Sequence, residues 1–200
     1  MRLFFCLTTL LCAALSVQAA TVQVQMQDGT GQPLPGAVVY LESKDAAAAA
    51  KPLQGAEVAQ AARQFDPQVR VVTVGTPVQF PNHDTVRHQV YSFSDTKRFE
   101  LKLYAGTTAA PVVFDKPGIA VLGCNIHDNM VAWILVVPTP YFGRSGADGK
   151  LSLDNVPAGN YRLRTWHIRL PVGTPALDQA LTVPATGATV AVRMAGLAPP

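Results

Sequence analysis

Cys124, His127 and Met130 stand three residues apart in the stretch GCNIHDNM, residues 123–130. A thiolate, an imidazole and a thioether form a soft donor set, better suited to copper than to magnesium, calcium or manganese. Zinc accepts the first two donors, but thioether is an unusual zinc ligand. A copper ion that changes oxidation state is best held by two imidazoles and a thiolate roughly in a plane. A long, weak axial methionine then favours the reduced form. The triplet therefore lacks one histidine, which another strand has to supply. The chain offers His83, His88 and His167. His88 opens the strand HQVYSF after an irregular segment, where a side chain can point out of the end of a sandwich. His83 lies inside the loop PNHDTVR, and His167 belongs to the C-terminal segment. The expected ligand set is His88, Cys124, His127 and Met130. The bland alternative is a surface histidine, a core thioether and a buried thiol.

The elements that must position these residues begin after a leader. MRLFFCLTTLLCAALSVQAA has one positive residue, Arg2, then an apolar run from Leu3 to Leu15 and a small-residue site at Val17-Gln18-Ala19. The run is too short to span a bilayer, so residues 1–20 read as a cleaved secretory signal and the protein as periplasmic or secreted. Cys6 and Cys12 leave with it, and Cys124 becomes a lone thiol in an oxidising compartment. Such a thiol needs a reason, and metal ligation is one. Setting Arg2 aside leaves 15 basic and 13 acidic residues, a net charge of +2. That is too weak and dispersed to indicate nucleic acid or stable membrane insertion.

The rest reads as β throughout. TVQVQM alternates at period two, DGTGQPLPG is turn chemistry, and AVVYLE is a second strand. Residues 44–64 are alanine-rich and broken by Pro52 and Gly55, a linker or short helix rather than a core element. From Phe65 the strands return as VRVVTV, VQF, HQVYSF, FELKLY, PVVFD, IAVLGC and MVAWILVV. Beyond Pro138, two strands flank NVPAGN and GATVAVRM is the last. Short strands punctuated by Gly and Pro point to an antiparallel sandwich or barrel.

VQFPNHDTVRHQV and GCNIHDNMVAWILV together resemble the two ligand-bearing segments of the cupredoxins, the small blue-copper proteins, and within them amicyanin and plastocyanin. The Cys-x-x-His-x-x-Met loop matches the short amicyanin form, and Asn82 precedes His88 by six residues, as in amicyanin. The longer wording, with FDKPG and LGCNIHDNM, also resembles bacterial methylamine-utilisation or plastocyanin-like proteins. The resemblance covers roughly Phe65 to Pro138. It implies a Greek-key β-sandwich over 65–138, one type 1 copper ion, and Asn82 and Gln89 in the shell around the ligands. Gln89 stands where those relatives carry Asn, which bears on the hydrogen bond to the cysteine sulfur. The flanks, 21–43 and 139–200, resemble the small sandwiches of carboxypeptidase regulatory-like modules. Either the copper domain is inserted into a discontinuous second sandwich, or residues 21–43 add strands to the first.

These readings imply an exported electron carrier working between redox partners, a dehydrogenase or a cytochrome. A copper-delivery protein would want clustered methionines, and Met26, Met130 and Met194 are scattered. An oxidase or reductase needs further copper centres, for which four histidines are too few. No enzyme is therefore expected. A scaffolding module with a vestigial site remains the reading outside redox chemistry.

Overall fold

A computed structural model describes residues 19–108 and 110–199. The expected leader lies outside the described residues except for Ala19 and Ala20, which already pair in the first strand. The chain opens with β1 (Ala19–Asp28) and β2 (Val38–Glu42), then a short helix α1 (Lys44–Ala49). Three small strands follow, β3 (Ala56–Glu57), β4 (Ala59–Ala61) and β5 (Gln64–Asp66). Next come β6 (Val69–Thr73), β7 (Thr76–Gln79), β8 (His88–Ser94) and β9 (Lys97–Tyr104). β10 (Val112–Phe114), β11 (Gly118–Gly123) and β12 (Val131–Val137) complete the central part. The last strands are β13 (Phe142–Arg144), β14 (Lys150–Pro157), β15 (Gly159–Trp166), β16 (Leu177–Val183) and β17 (Ala188–Met194). The architecture is all-β, as the alternation and turn chemistry imply.

Two pairs of sheets enclose two cores. A sheet in the order β14-β1-β17 faces one in the order β13-β2-β15-β16. Val22, Val24 and Met26 alternate inward from β1 to meet Leu41, Leu163 and Trp166. Among the described residues, both N-terminal strands take their strand partners from the C-terminal segment, β1 from β14 and β17, β2 from β13 and β15. The second core lies between the sheets β6-β12-β11-β8-β9 and β10-β7-β3. Its centre is Phe80, Phe114, Leu122, Met130 and Ile134, all buried. The non-consecutive neighbours β6 and β12 run parallel, joined by a long connection that passes through both sheets.

β12 explains why MVAWILVV is apolar without alternation. Ala132, Ile134 and Val136 face the second core, whereas Trp133 and Leu135 face the first. A strand covered on both sides reads as a continuous apolar run. Trp133 packs beside Trp166, with ring centroids 6.3 Å apart.

The segment 44–64, expected as a linker outside the core, is in part core. Ser43 Oγ accepts a bond from the Ala46 N–H and starts α1, which the following Pro52 keeps short. Ala56 and Val58 are fully buried in the second core, and β3 pairs with β7. Alanine and valine are small enough to be buried without announcing a periodicity, so composition alone gave a misleading texture. The turn expected over Asn155–Asn160 is also tighter than its composition implies: β14 and β15 are separated by Ala158 alone.

Candidate metal centre

Strand direction gathers the site. β11 runs antiparallel to both β8 and β12. The start of β8, the end of β11 and the start of β12 therefore lie at one end of the five-stranded sheet. Ala120, Leu122 and Cys124 alternate inward along β11 and its extension, so the thiol arrives on the core side. Gly123 lies opposite Tyr91, and a Cβ there would come within 2.6 Å of the tyrosine ring, so any larger residue has to displace it. After Cys124 the chain turns, and the Met130 N–H donates to the His127 carbonyl at 3.0 Å, closing the loop. Met130 then enters the second core, 1 % exposed.

One ring nitrogen of His88, one of His127 and the Cys124 sulfur all lie within 4.8 Å of one another. Cys124 Sγ is 3.9 Å from His88 Nδ1, and the two imidazole centroids are 5.1 Å apart. His88 and Cys124 are buried, at 0 % and 4 % exposed, and His127 is half-buried. His127 Nδ1 is buried with no hydrogen-bond partner. An unpartnered imidazole nitrogen costs free energy unless something accepts or binds it. The donor chemistry fits a soft metal ion: a cysteine sulfur and two imidazoles converge.

The other histidines stand apart from the cluster. His83 is exposed in its loop. His167 is buried at 5 % exposure in the other sandwich, where its Nε2 donates to the Pro35 carbonyl at 3.1 Å and its Nδ1 accepts the Arg169 N–H at 3.1 Å. Burial pushes its pKa below the ordinary histidine value.

Asn82 and Gln89 hold strands and loop rather than sulfur. The Asn82 amide donates to the carbonyls of Val86 and Tyr104 at 2.9 and 3.0 Å, and its Oδ1 accepts the Asp84 N–H at 2.9 Å. It thereby shapes the loop that delivers His88. The Gln89 amide donates across to Glu100 Oε1 at 2.6 Å on β9. Gln89 lies at a register irregularity between His88 and Val90, and its amide is engaged with β9.

One functional residue was not singled out from sequence. Asp84 Oδ2 lies 2.7 Å from His88 Nε2, on the ring edge away from Cys124. The same carboxylate accepts the backbone N–H groups of Ala62 and Arg63 at 2.7 and 2.9 Å. The Arg63 N–H foremost, with the His88 ring and the Ala62 N–H, holds the Asp84 carboxyl below the usual range. The available signal was local: an acid four residues before His88, in a loop otherwise poor in carboxylates.

A cavity of about 730 Å³ opens between the two sandwiches, walled by Trp133, Trp166, Tyr40 and Pro171. None of the four sulfur and imidazole residues lines it. Among the described residues, no helix is long and apolar enough to cross a membrane.

No protein-family model matches the chain, and neither does any curated protein. Solved structures do match in part. A purple cupredoxin from Nitrosopumilus maritimus is 22 % identical over 41 % of this chain and 99 % of its own, with a TM-score of 0.36. A reduced Cu(I) form of an amicyanin mutant is 20 % identical over 50 % of this chain and 98 % of its own, at 0.38. A copper-containing nitrite reductase from Thermus scotoductus is 23 % identical over 56 % of this chain but only 28 % of its own, at 0.39. These overlays are partial at such scores. Fold and site stand on the strand pairing and the donor geometry.

Proposed function

We propose that the chain is an exported electron carrier holding a single type 1 copper ion. The observation that carries the proposal is the convergence of His88, Cys124 and His127 within 4.8 Å, with His127 Nδ1 buried and unpartnered. His88, Cys124 and His127 would be the strong ligands and Met130 the weak axial one. Copper, when bound, supplies a one-electron couple.

The protein's part is to keep the donors still. His88 and Cys124 are held by sheet ends, and the bond from Met130 N–H to the His127 carbonyl fixes the loop that carries His127. Donors fixed in this way reorganise little when the charge at the site changes, which outer-sphere electron transfer requires. His127 is the half-exposed member, and the exposed Ile126 beside it gives that edge an apolar rim. Electrons would enter and leave there, to a partner such as a dehydrogenase or a cytochrome. The leader-like residues 1–20 support a periplasmic or secreted location.

The test is to add one equivalent of Cu(II) to the protein and to Cys124→Ser, and to record visible absorption and EPR spectra. An intense thiolate-to-copper band and narrow copper hyperfine splitting, both lost in the variant, are expected. A pale tetragonal spectrum indifferent to Cys124 would refute the site. Irreversible voltammetry of a blue protein would refute the carrier role alone.

A further inference from the structure

The β4–β5 hairpin turns through Ala62 and Arg63, with φ of 50° and 58°. That pair of left-handed residues is the signature of a type I′ turn, for which Asn-Gly is the favoured filling. Side chains with a Cβ are disfavoured in this conformation, so something else has to hold the turn. Asp84 does so from another loop, taking the Ala62 N–H on Oδ1 and the Arg63 N–H on Oδ2. Oδ2 also contacts His88 Nε2 at 2.7 Å. Asn82 in turn accepts the Asp84 N–H and aims the carboxylate.

An ionised carboxylate only accepts hydrogen bonds, so the His88 proton resides on Nε2. Nδ1, 3.9 Å from Cys124 Sγ, is then a bare lone pair directed into the donor cluster. A metal needs that unprotonated nitrogen, and a hydrogen bond at the far ring nitrogen decides which one it is.

We infer that Asp84 is a positioning residue that fixes the tautomer and ring orientation of His88 while clasping the 62–63 turn. The short hairpin of residues 59–66, outside both ligand-bearing segments, is thereby coupled to the metal's first histidine. The consequence for copper rests on the reading proposed above; the tautomer does not. The carboxylate also makes the imidazole a stronger donor, which favours the oxidised ion.

The first readout is the ¹⁵N NMR spectrum of the copper-free protein. His88 is expected as the Nε2–H form, and an Nδ1–H form would overturn the inference. The second is the copper-loaded series Asp84→Asn, Asp84→Ala and Ala62→Gly. Asp84→Asn should bind Cu(II) about 10- to 100-fold more weakly and have a higher reduction potential, with Asp84→Ala at least as affected. Ala62→Gly keeps the turn N–H and the carboxylate, so its potential should stay at the wild-type value. An Asp84→Asn potential and affinity equal to wild type would reduce Asp84 to a turn clasp. A shift in Ala62→Gly as large as that in Asp84→Asn would assign control to the turn instead. Should Asp84→Ala fail to fold, Asp84→Asn and the tautomer decide. A wild-type protein that never turns blue would refute the copper reading while leaving the tautomer result intact.

Discussion

The imidazole rings of His88 and His127 stand 5.1 Å apart, centroid to centroid, with their planes inclined by 58°. Two rings held this close, beside a thiol, form a donor group that only the folded chain brings together. Binding to that group stabilises the folded chain by mass action, since the unfolded chain lacks the convergence. At a free copper concentration a thousandfold above Kd the gain is about 4 kcal/mol. For a domain of this size about 1 kcal/mol moves Tm by roughly 2–4 °C. Copper should therefore raise Tm by roughly 8–16 °C in calorimetry, and Cys124→Ser should lose most of that shift. An equal shift in the variant would show binding elsewhere.

Gly123 is glycine because the Tyr91 ring lies over it. A Cβ would come within 2.6 Å of the tyrosine Cζ and Oη. Gly123→Ala has to push the ring outward, at a cost of about 1–3 kcal/mol by the usual penalty for overpacking. Tyr91→Ala removes the obstacle, so the double variant should be less destabilised than the sum of the singles. Chemical denaturation of the four proteins gives the coupling directly, and strict additivity would remove the steric account.

The approach of Cys124 and His127 was legible because their spacing is written along one short loop, and that of His88 because a strand start can be recognised there. The continuous apolar run of β12 was legible as a strand but not as one serving two cores, since that depends on what covers its second face. Asp84 was legible only as an acid four residues before His88, not as a clasp on a distant turn. Its role exists only because a turn twenty-odd residues upstream folds onto the loop before His88, a meeting that no local pattern records. β3 and the burial of Val58 were hidden for the same reason, in a segment whose alanines resemble a spacer. β16 also went unnoticed: DQALT carries little apolar alternation because the strand lies at a sheet edge, largely exposed.

Leu122 is fully buried one turn of the alternation before Cys124. Leu122→Ala should cost about 2–5 kcal/mol, the range for emptying a leucine site in a packed core. Because it stands on the strand that delivers the thiol, copper-free unfolding and the EPR hyperfine splitting should both change. A cost below about 1 kcal/mol would mean that the core relaxes into the space.

His167 is satisfied at both nitrogens only while neutral, and burial lowers its pKa from 6.5. In the unfolded chain it titrates near its ordinary value, about 6.5. Between that value and the lower folded one, the unfolded state binds more protons, so stability falls as pH drops. The contribution is intact above about pH 6.5 and is lost progressively below it. His167→Gln, which can still donate to the Pro35 carbonyl, should flatten this part of the stability curve. An unchanged slope in urea titrations from pH 7 to pH 5 would place the acid sensitivity elsewhere.

The parallel pairing of β1 with β17, Val22 to Asp28 against Ala188 to Met194, joins the earliest described strand to the last. A ribosome delivers those partners at opposite ends of synthesis, at about 5–20 residues per second. The strands around Cys124 find one another within the middle of the chain and can close while the tail is still being made. β1 meanwhile waits with an open edge, the kind of surface that invites pairing with a neighbouring chain. The order of emergence thus favours the half that carries Cys124 as the first to mature, and makes the final strand the latch that ends the exposure of the first.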